Sequence, residues 1–387
     1  MTLREIGEPL PQRFTGQPNP GGSGLPAKAV IRAEAERLFQ AFQAAGAVAV
    51  DADILLPAEV MLDLYGEDIR ARAYVTTDPL QGEMMLRPDF TVPVVQAHMA
   101  HGADPARYCY RGEVFRKQDH LGNRASETLQ VGFEVFDRTA PEAADAEVFA
   151  LFRDVLAGLP LRAVTGDIGI LMAAVRGLET TGRRKAALLR HISRPQRFRA
   201  LLDRFSGRAP VTAARAALLG RLAEGVPEAL IAAAGPLIGL REAGEISARA
   251  EALLEDAGAA PIPAIAAAML YDLLQLQAPA MAALAHLRGI TVHLPAIAGA
   301  VDRFAARLEA LASRGVDVKV LAFEASHGRS PMEYYDGFVF SFLAGEDVVA
   351  TGGRYDALTA VLGQGRSIPA VGAIVRPALV AALRGAV

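Results

Sequence analysis

Residues 111–137 read RGEVFRKQDHLGNRASETLQVGFEVFD, and the reading of this stretch decides the fold. Apolar side chains alternate on both sides of a charged centre, which predicts a strand over Tyr108–Arg116, a connection over Lys117–Glu127 and a second strand over Thr128–Asp137. Gly122 and Asn123 within that polar connection predict an exposed hairpin loop. In the second strand Gln130 and Glu134 point to one face, opposite Val131, Phe133 and Val135. That polar face is either one wall of a site for an amino-acid ligand or the solvent side of an antiparallel sheet.

Working outward from the hairpin, the N-terminal side begins with a Pro- and Gly-rich stretch over residues 1–26 that suits an extended arm. A helix follows over Ala27–Ala45, because Val30, Leu38, Phe39 and Phe42 recur at helical spacing. Strands are predicted at Val48–Leu55, Ala73–Thr77 and Glu83–Leu86, forming a short antiparallel series before a helix that starts near Thr91. On the C-terminal side come a helix from Pro141 to about Gly158 and a strand over Leu161–Gly166. Residues from about 168 to 313 are rich in Ala, Leu and Arg with helical periodicity, and read as an inserted helical region. Strand patterns return at Val316–Phe323, Gly337–Leu343 and Asp347–Ala350, and a last helix starts near Pro377. The expected class is α+β, an antiparallel sheet flanked by helices, with residues 27–387 forming one core around the insertion.

The chain has 387 residues, about half of them apolar, enough to bury a large core. Its 40 basic and 43 acidic residues leave a formal charge of −3, so no net field draws it to nucleic acid. Cys109 is the single cysteine, which excludes an internal disulfide and any thiolate metal cage. With no secretory leader pattern and no apolar run of about 20 residues, the expected location is the cytoplasm and no membrane is expected as a partner. The sequence has no His-x-x-x-His pair, GxSxG elbow or phosphate-binding GxxxxGK loop, so common hydrolase, zinc and nucleotide signatures are absent. No metal or cofactor is expected.

Other polar residues invite two readings each. Asp89 either holds an ammonium group or caps the helix beginning at Thr91. Arg116 either grips an anion or forms a cross-strand ion pair. Tyr334 and Tyr335 are expected to open a strand, with at least one ring in the core. Gly352 and Gly353 either let backbone approach a neighbour closely or make a turn that requires positive φ.

Taken in order, these segments resemble the class II aminoacyl-tRNA synthetase core, and within it histidyl-tRNA synthetase. Leu86–Pro93 (LRPDFTVP) is similar to that family's LRPE-x-T segment, Arg111–Asp137 to its second motif, Met332–Phe340 (MEYYDGFVF) to its LDYY box, and Thr351–Leu358 (TGGRYDAL) to its GGRYD-G-L segment. Pro369–Leu379 is similar to its third motif. The resemblance implies a histidine pocket of Asp89 and Thr91 for the amino group, Gln130 and Glu134 around the ligand, and Tyr334 and Tyr335 near the imidazole, with Arg116 as an anion contact. Asp89 departs from the family's Glu.

The family's ATP contacts are altered. Its FR-x-E acid falls on Gln118, the arginine before its tyrosine box on Ser330 with Arg329 one residue away, and its late arginine on Leu379. The chain also leaves no room for the synthetase's anticodon-binding domain. This combination resembles the regulatory subunits of short-form ATP phosphoribosyltransferase. The resemblance implies a non-catalytic chain in histidine biosynthesis that pairs with a short catalytic subunit as a hetero-octamer, four of each, forms a self-dimer, takes L-histidine as effector and binds no tRNA. An active amino-acid-adenylating enzyme of histidyl-tRNA synthetase type is the alternative.

Overall fold

The computed structural model describes residues 26–65, 67–118, 125–328 and 334–385. The N-terminal arm expected over residues 1–26 therefore lies outside the described residues except for Pro26, as do the tip of the expected hairpin loop and Arg329 and Ser330. The strands are β1 (Val48–Ala49), β2 (Leu55–Pro57), β3 (Val75–Asp78), β4 (Gly82–Leu86), β5 (Ala106–Phe115), β6 (Glu127–Phe136), β7 (Arg162–Asp167), β8 (Gln277–Pro279), β9 (Ala322–Glu324), β10 (Phe338–Ala344), β11 (Asp347–Arg354) and β12 (Ala370–Val375). A nine-stranded sheet has the order β1-β5-β6-β12-β11-β10-β7-β9-β8, and a three-stranded sheet has the order β2-β4-β3.

Among the described residues, contacts divide the chain into two compact units, the first lying within residues 26–92, 109–132 and 375–385 and the second within residues 93–108 and 133–374. In the first, the helix Lys28–Ala44 buries Leu38 and Phe42 completely, and its neighbour is the final helix Pro377–Leu383. Burying one such side chain contributes about 1.5–3 kcal/mol. The two helices are also tied by Arg384 Nε at 3.6 Å from Glu34. β4 pairs antiparallel with both β2 and β3, with Leu56 and Val75 each opposite Met85.

In the second unit, β10 is antiparallel to β11 on one side and β7 on the other, so that Val339 lies between Gly353 and Gly166. β7 pairs with β9 in parallel and β9 with β8 antiparallel, so the sheet is mixed where the sequence suggested an antiparallel one. The helix Pro141–Val155 starts with proline at its first turn, a position where the missing N–H costs nothing. It lays Phe149 against Phe340 and Phe342, each with ring centroids 5.2 Å away. Between Ile168 and Ser313 the ordered elements are helices, a 3-10 turn at Pro295–Ile297 and β8. Of the described helices, none is long and apolar enough to cross a membrane.

Three sequence expectations differ from the structure for local reasons. The strand predicted over Val48–Leu55 is broken into β1 and β2, which belong to different sheets, and the acidic residues Asp51 and Asp53 occupy the break. The strand predicted from Val316 starts only at Ala322, because Asp317 closes a turn by accepting Lys319 N at 3.0 Å through its side chain and Leu321 N at 3.1 Å through its carbonyl. β12 and β8 were not anticipated, since AVGAIV is buried on both faces and shows no alternation, and QAP is three residues long.

Two arginines hold the second unit together from inside. Asp145, fully buried, accepts Arg307 Nε at 2.7 Å on one oxygen and Arg354 at 2.7 Å on the other. Arg307 also donates to Asp167 at 2.8 Å, and Arg354 to Asp356 at 3.1 Å. Burial opposes the charge on both arginines, but the neighbouring carboxylates outweigh it and raise their pKa values. The cluster thus joins the helices Pro141–Val155 and Ala298–Ser313 to the ends of β7 and β11. Asp145→Ala would leave two buried guanidiniums without their shared partner, and urea unfolding should show a loss of about 3–5 kcal/mol. An unchanged unfolding midpoint would contradict this account of the core.

Candidate functional site

Within the second unit, Glu134 is the polar residue most deeply placed among those singled out by the sequence. It is only 1% exposed, so the solvent-facing reading of its strand face is excluded. A buried carboxylate requires donors, and the Tyr355 hydroxyl donates to its Oε2 at 2.6 Å. Tyr355 follows Arg354, which Asp145 fixes, and its backbone N–H donates to Ala370 O at 3.0 Å. On β12, a Cβ at Gly372 would fall inside the van der Waals envelope of Glu134 Oε2, so glycine is required there for the carboxylate to sit where it does.

The tyrosines gather beside this pair. Tyr334 meets Tyr355 edge-on at 5.8 Å and Tyr335 edge-on at 5.5 Å, so Tyr355 joins Glu134 to Tyr334, which in turn meets Tyr335. Neither Tyr334 nor Tyr335 opens a strand, because β10 begins only at Phe338. Gly353 admits the Tyr335 ring, since a Cβ there would be 2.9 Å from ring atoms and 2.6 Å from Phe338 O. Gly352 similarly admits Ala373 and the Gly372 carbonyl, and neither glycine has a positive φ, so close approach is the reading the structure realises. The role of Tyr355 was not anticipated. The only hint in the sequence is that a tyrosine between a strand and a helix, if buried, needs a partner for its hydroxyl.

The first unit carries the other candidates. Asp89, Thr91 and Gln130 are buried, at 7%, 5% and 3% exposure, which again excludes a solvent-facing role for Gln130. Asp89 Oδ1 accepts Val92 N at 3.3 Å and so caps the helix Thr91–His101, the second of its two readings, without preventing the first. Arg116 Nε donates to Pro88 O at 2.8 Å, and Phe115 N donates to Arg87 O at 3.0 Å. The end of β5 therefore fixes the backbone that carries Asp89. Among the described residues Arg116 makes no cross-strand ion pair, and its neighbours are locally engaged: Lys117 Nζ donates to Arg70 O at 3.1 Å and Gln118 Nε2 to Arg116 O at 3.2 Å. Leu379 lies in the final helix and brings no charge. Among the described residues there is no group of three or more His, Cys, Asp or Glu side chains able to hold a metal ion.

Asp336, next to the tyrosine pair, titrates unusually. Burial, followed by the charge of Asp356, pushes its pKa up to about 6, although backbone N–H groups of Ala357 and Asp356 and the Arg354 charge pull the other way. An acid whose folded pKa is raised keeps its proton in the folded state after the unfolded chain has lost it. Its contribution to stability is therefore full at low pH, declines as pH rises from about 4 to about 6, and is constant above. The stability difference between the natural chain and Asp336→Asn, from denaturant melts at several pH values, should fall across that window and then level off. A flat difference would show that Asp336 titrates normally.

The histidyl-tRNA synthetase family model matches residues 24–278 and 251–378. The ATP phosphoribosyltransferase regulatory subunit of Allorhizobium ampelinum is 33% identical over 355 residues, covering 87% of this chain and 93% of that one. The regulatory subunit of Brucella anthropi is 33% identical over 342 residues, covering 84% and 89%. Among solved structures, the ATP phosphoribosyltransferase regulatory subunit/histidyl-tRNA synthetase from Bacillus halodurans superposes with a TM-score of 0.65 at 19% identity, covering 95% of this chain and 84% of that one, which supports the class II fold. Extended similarity to proteins of one name, on a fold shared with histidyl-tRNA synthetase, places the chain in a family: it belongs to the ATP phosphoribosyltransferase regulatory subunits, relatives of histidyl-tRNA synthetase.

Proposed function

We propose that the chain binds L-histidine and conveys its presence to the catalytic subunit of a short-form ATP phosphoribosyltransferase, enabling and feedback-regulating the first step of histidine biosynthesis without catalysing a reaction itself. The observation that carries this reading is the buried Glu134, held by Tyr355 beside Tyr334 and Tyr335. A carboxylate kept away from water at the cost of desolvation is suited to a cationic ammonium or imidazolium partner, and tyrosine rings suit the flat face of an imidazole. The full set of proposed histidine contacts is Asp89, Thr91, Arg116, Gln130, Glu134, Tyr334 and Tyr335, with Asp89 and Thr91 serving the amino group and Arg116 serving the anion.

Adenylation needs positive charge placed where the triphosphate develops its transition-state charge. At the two positions where the resemblance puts the family's arginines this chain has Ser330 and Leu379, while the Arg116 Nε and the Lys117 amino group are taken by backbone carbonyls. Such a site recognises an amino acid without activating it. The proposed assembly is a cytoplasmic hetero-octamer of four regulatory and four catalytic chains in which this chain dimerises with itself, and neither tRNA nor membrane is a partner. For histidine to regulate, it must bind two states of that assembly unequally, and a coupling of about 1–3 kcal/mol is the usual scale.

Calorimetric titration of the purified chain with histidine should show binding that weakens about tenfold or more in Glu134→Ala and less in Tyr355→Phe, which keeps the carboxylate but loses its donor. Unchanged affinity in Glu134→Ala would remove the site from this location. Histidine-dependent exchange of pyrophosphate into ATP by the chain alone, at ordinary enzymatic rates, would instead establish the adenylating alternative.

A further inference from the structure

The helices Gly182–Arg190 and Pro195–Phe205 carry an excess of positive charge. Residues 182–208 hold eight arginines and one lysine against a single aspartate, in a chain whose overall formal charge is −3. That aspartate, Asp203, accepts the Tyr271 hydroxyl at 2.7 Å. Arg183 reaches Glu255 at 2.8 Å, outside this stretch.

Three further guanidiniums converge on one carboxylate, Asp256, from the helix Ala243–Gly258. Arg184 occupies Oδ1 at 2.7 Å and also donates to the carbonyls of Asp256 and Ala260 at 2.6 and 2.8 Å. Arg215, from the helix Ala213–Glu224, occupies Oδ2 at 2.8 Å. Arg204 remains 3.8 Å from Oδ2, too far for a hydrogen bond, with its side chain 43% exposed and stacked over the Phe205 ring at 4.6 Å. Burial, together with the charges of Arg215 and Arg184, lowers the Arg204 pKa against the opposing pull of Asp256.

A contact serving only to hold helices together would match its charges or dispense with them. Here an arginine is held near two others, open to solvent and with its orientation set by an aromatic ring, and it has no hydrogen-bonded acceptor among the described residues. Guanidiniums arranged in this way are suited to fork onto phosphate oxygens. We infer that Arg204 and Arg215, backed by Arg184, form a binding site for the phosphate oxyanions of a small phosphorylated molecule. A di- or triphosphate is preferred over a monophosphate, because one carboxylate leaves more than one of the three cations unmatched.

The test is calorimetry and thermal melting of the full chain with pyrophosphate at constant ionic strength, with ATP as a second arm. The natural chain should bind pyrophosphate and melt at a higher temperature in its presence. Arg204→Gln should bind about tenfold or more weakly, yet melt no lower than the natural chain in chloride alone, because a repelled charge has been removed. Arg190→Gln, which removes an exposed cation from the other end of the first helix, should keep the natural affinity. Tighter binding of ATP than of pyrophosphate would identify a nucleotide as the ligand, and equal binding would identify the phosphates alone. The inference is overturned if pyrophosphate does not bind, if Arg204→Gln binds as well as the natural chain, or if Arg190→Gln loses as much as Arg204→Gln. Histidine titration of Arg204→Gln separates this result from the fate of the histidine reading.

Discussion

Asp145 has no access to water, and it receives a guanidinium on each of its oxygens. Without Asp145 each arginine would keep a single carboxylate, Asp167 for Arg307 and Asp356 for Arg354, and without the arginines Asp145 would be a buried carboxylate lacking its ion-pair partners. The two arginines come from distant parts of the sequence: Arg307 from a helix of the Ala- and Leu-rich region, Arg354 from the end of β11. By fixing Arg354, the cluster also fixes its neighbour in the chain. Tyr355 is the next residue, and its hydroxyl donates to the buried Glu134 carboxylate at 2.6 Å. A structural ion cluster and a candidate ligand site thus share one backbone bond.

Much of the fold was legible because it depends on local pattern. The alternation in β5 and β6, the proline opening the helix at Pro141 and the helical spacing around Leu38 and Phe42 each identify an element without reference to the rest of the chain. β12 was not legible because a strand buried on both faces leaves no alternation to read. The break between β1 and β2 was missed because apolar residues flank the two aspartates on both sides, and only the division into two sheets separates them.

For the site, residue types were readable and partnerships were not. Glu134 and Gln130 stood out as polar residues in an apolar strand, but spacing alone could not distinguish a wet face from a buried one. The donor to Glu134 lies 221 residues further on, and no local rule connects them. Gly372 is a subtler case. Its lack of a side chain reads as an ordinary small residue in an apolar run, whereas its effect is to clear space for a carboxylate on another strand.

The two arginine clusters of the second unit make an instructive contrast. Around Asp145, carboxylates from Asp145, Asp167 and Asp356 surround Arg307 and Arg354, and every charge has a hydrogen-bonded partner in the protein. Around Asp256, one carboxylate serves Arg184 and Arg215 and leaves Arg204 outside hydrogen-bond range. The first cluster is closed, buried and complete without a ligand, as a structural device must be. The second is half open and carries surplus positive charge. Two clusters built from the same residue types are therefore separated in role by charge balance and solvent access, neither of which depends on the name of the family.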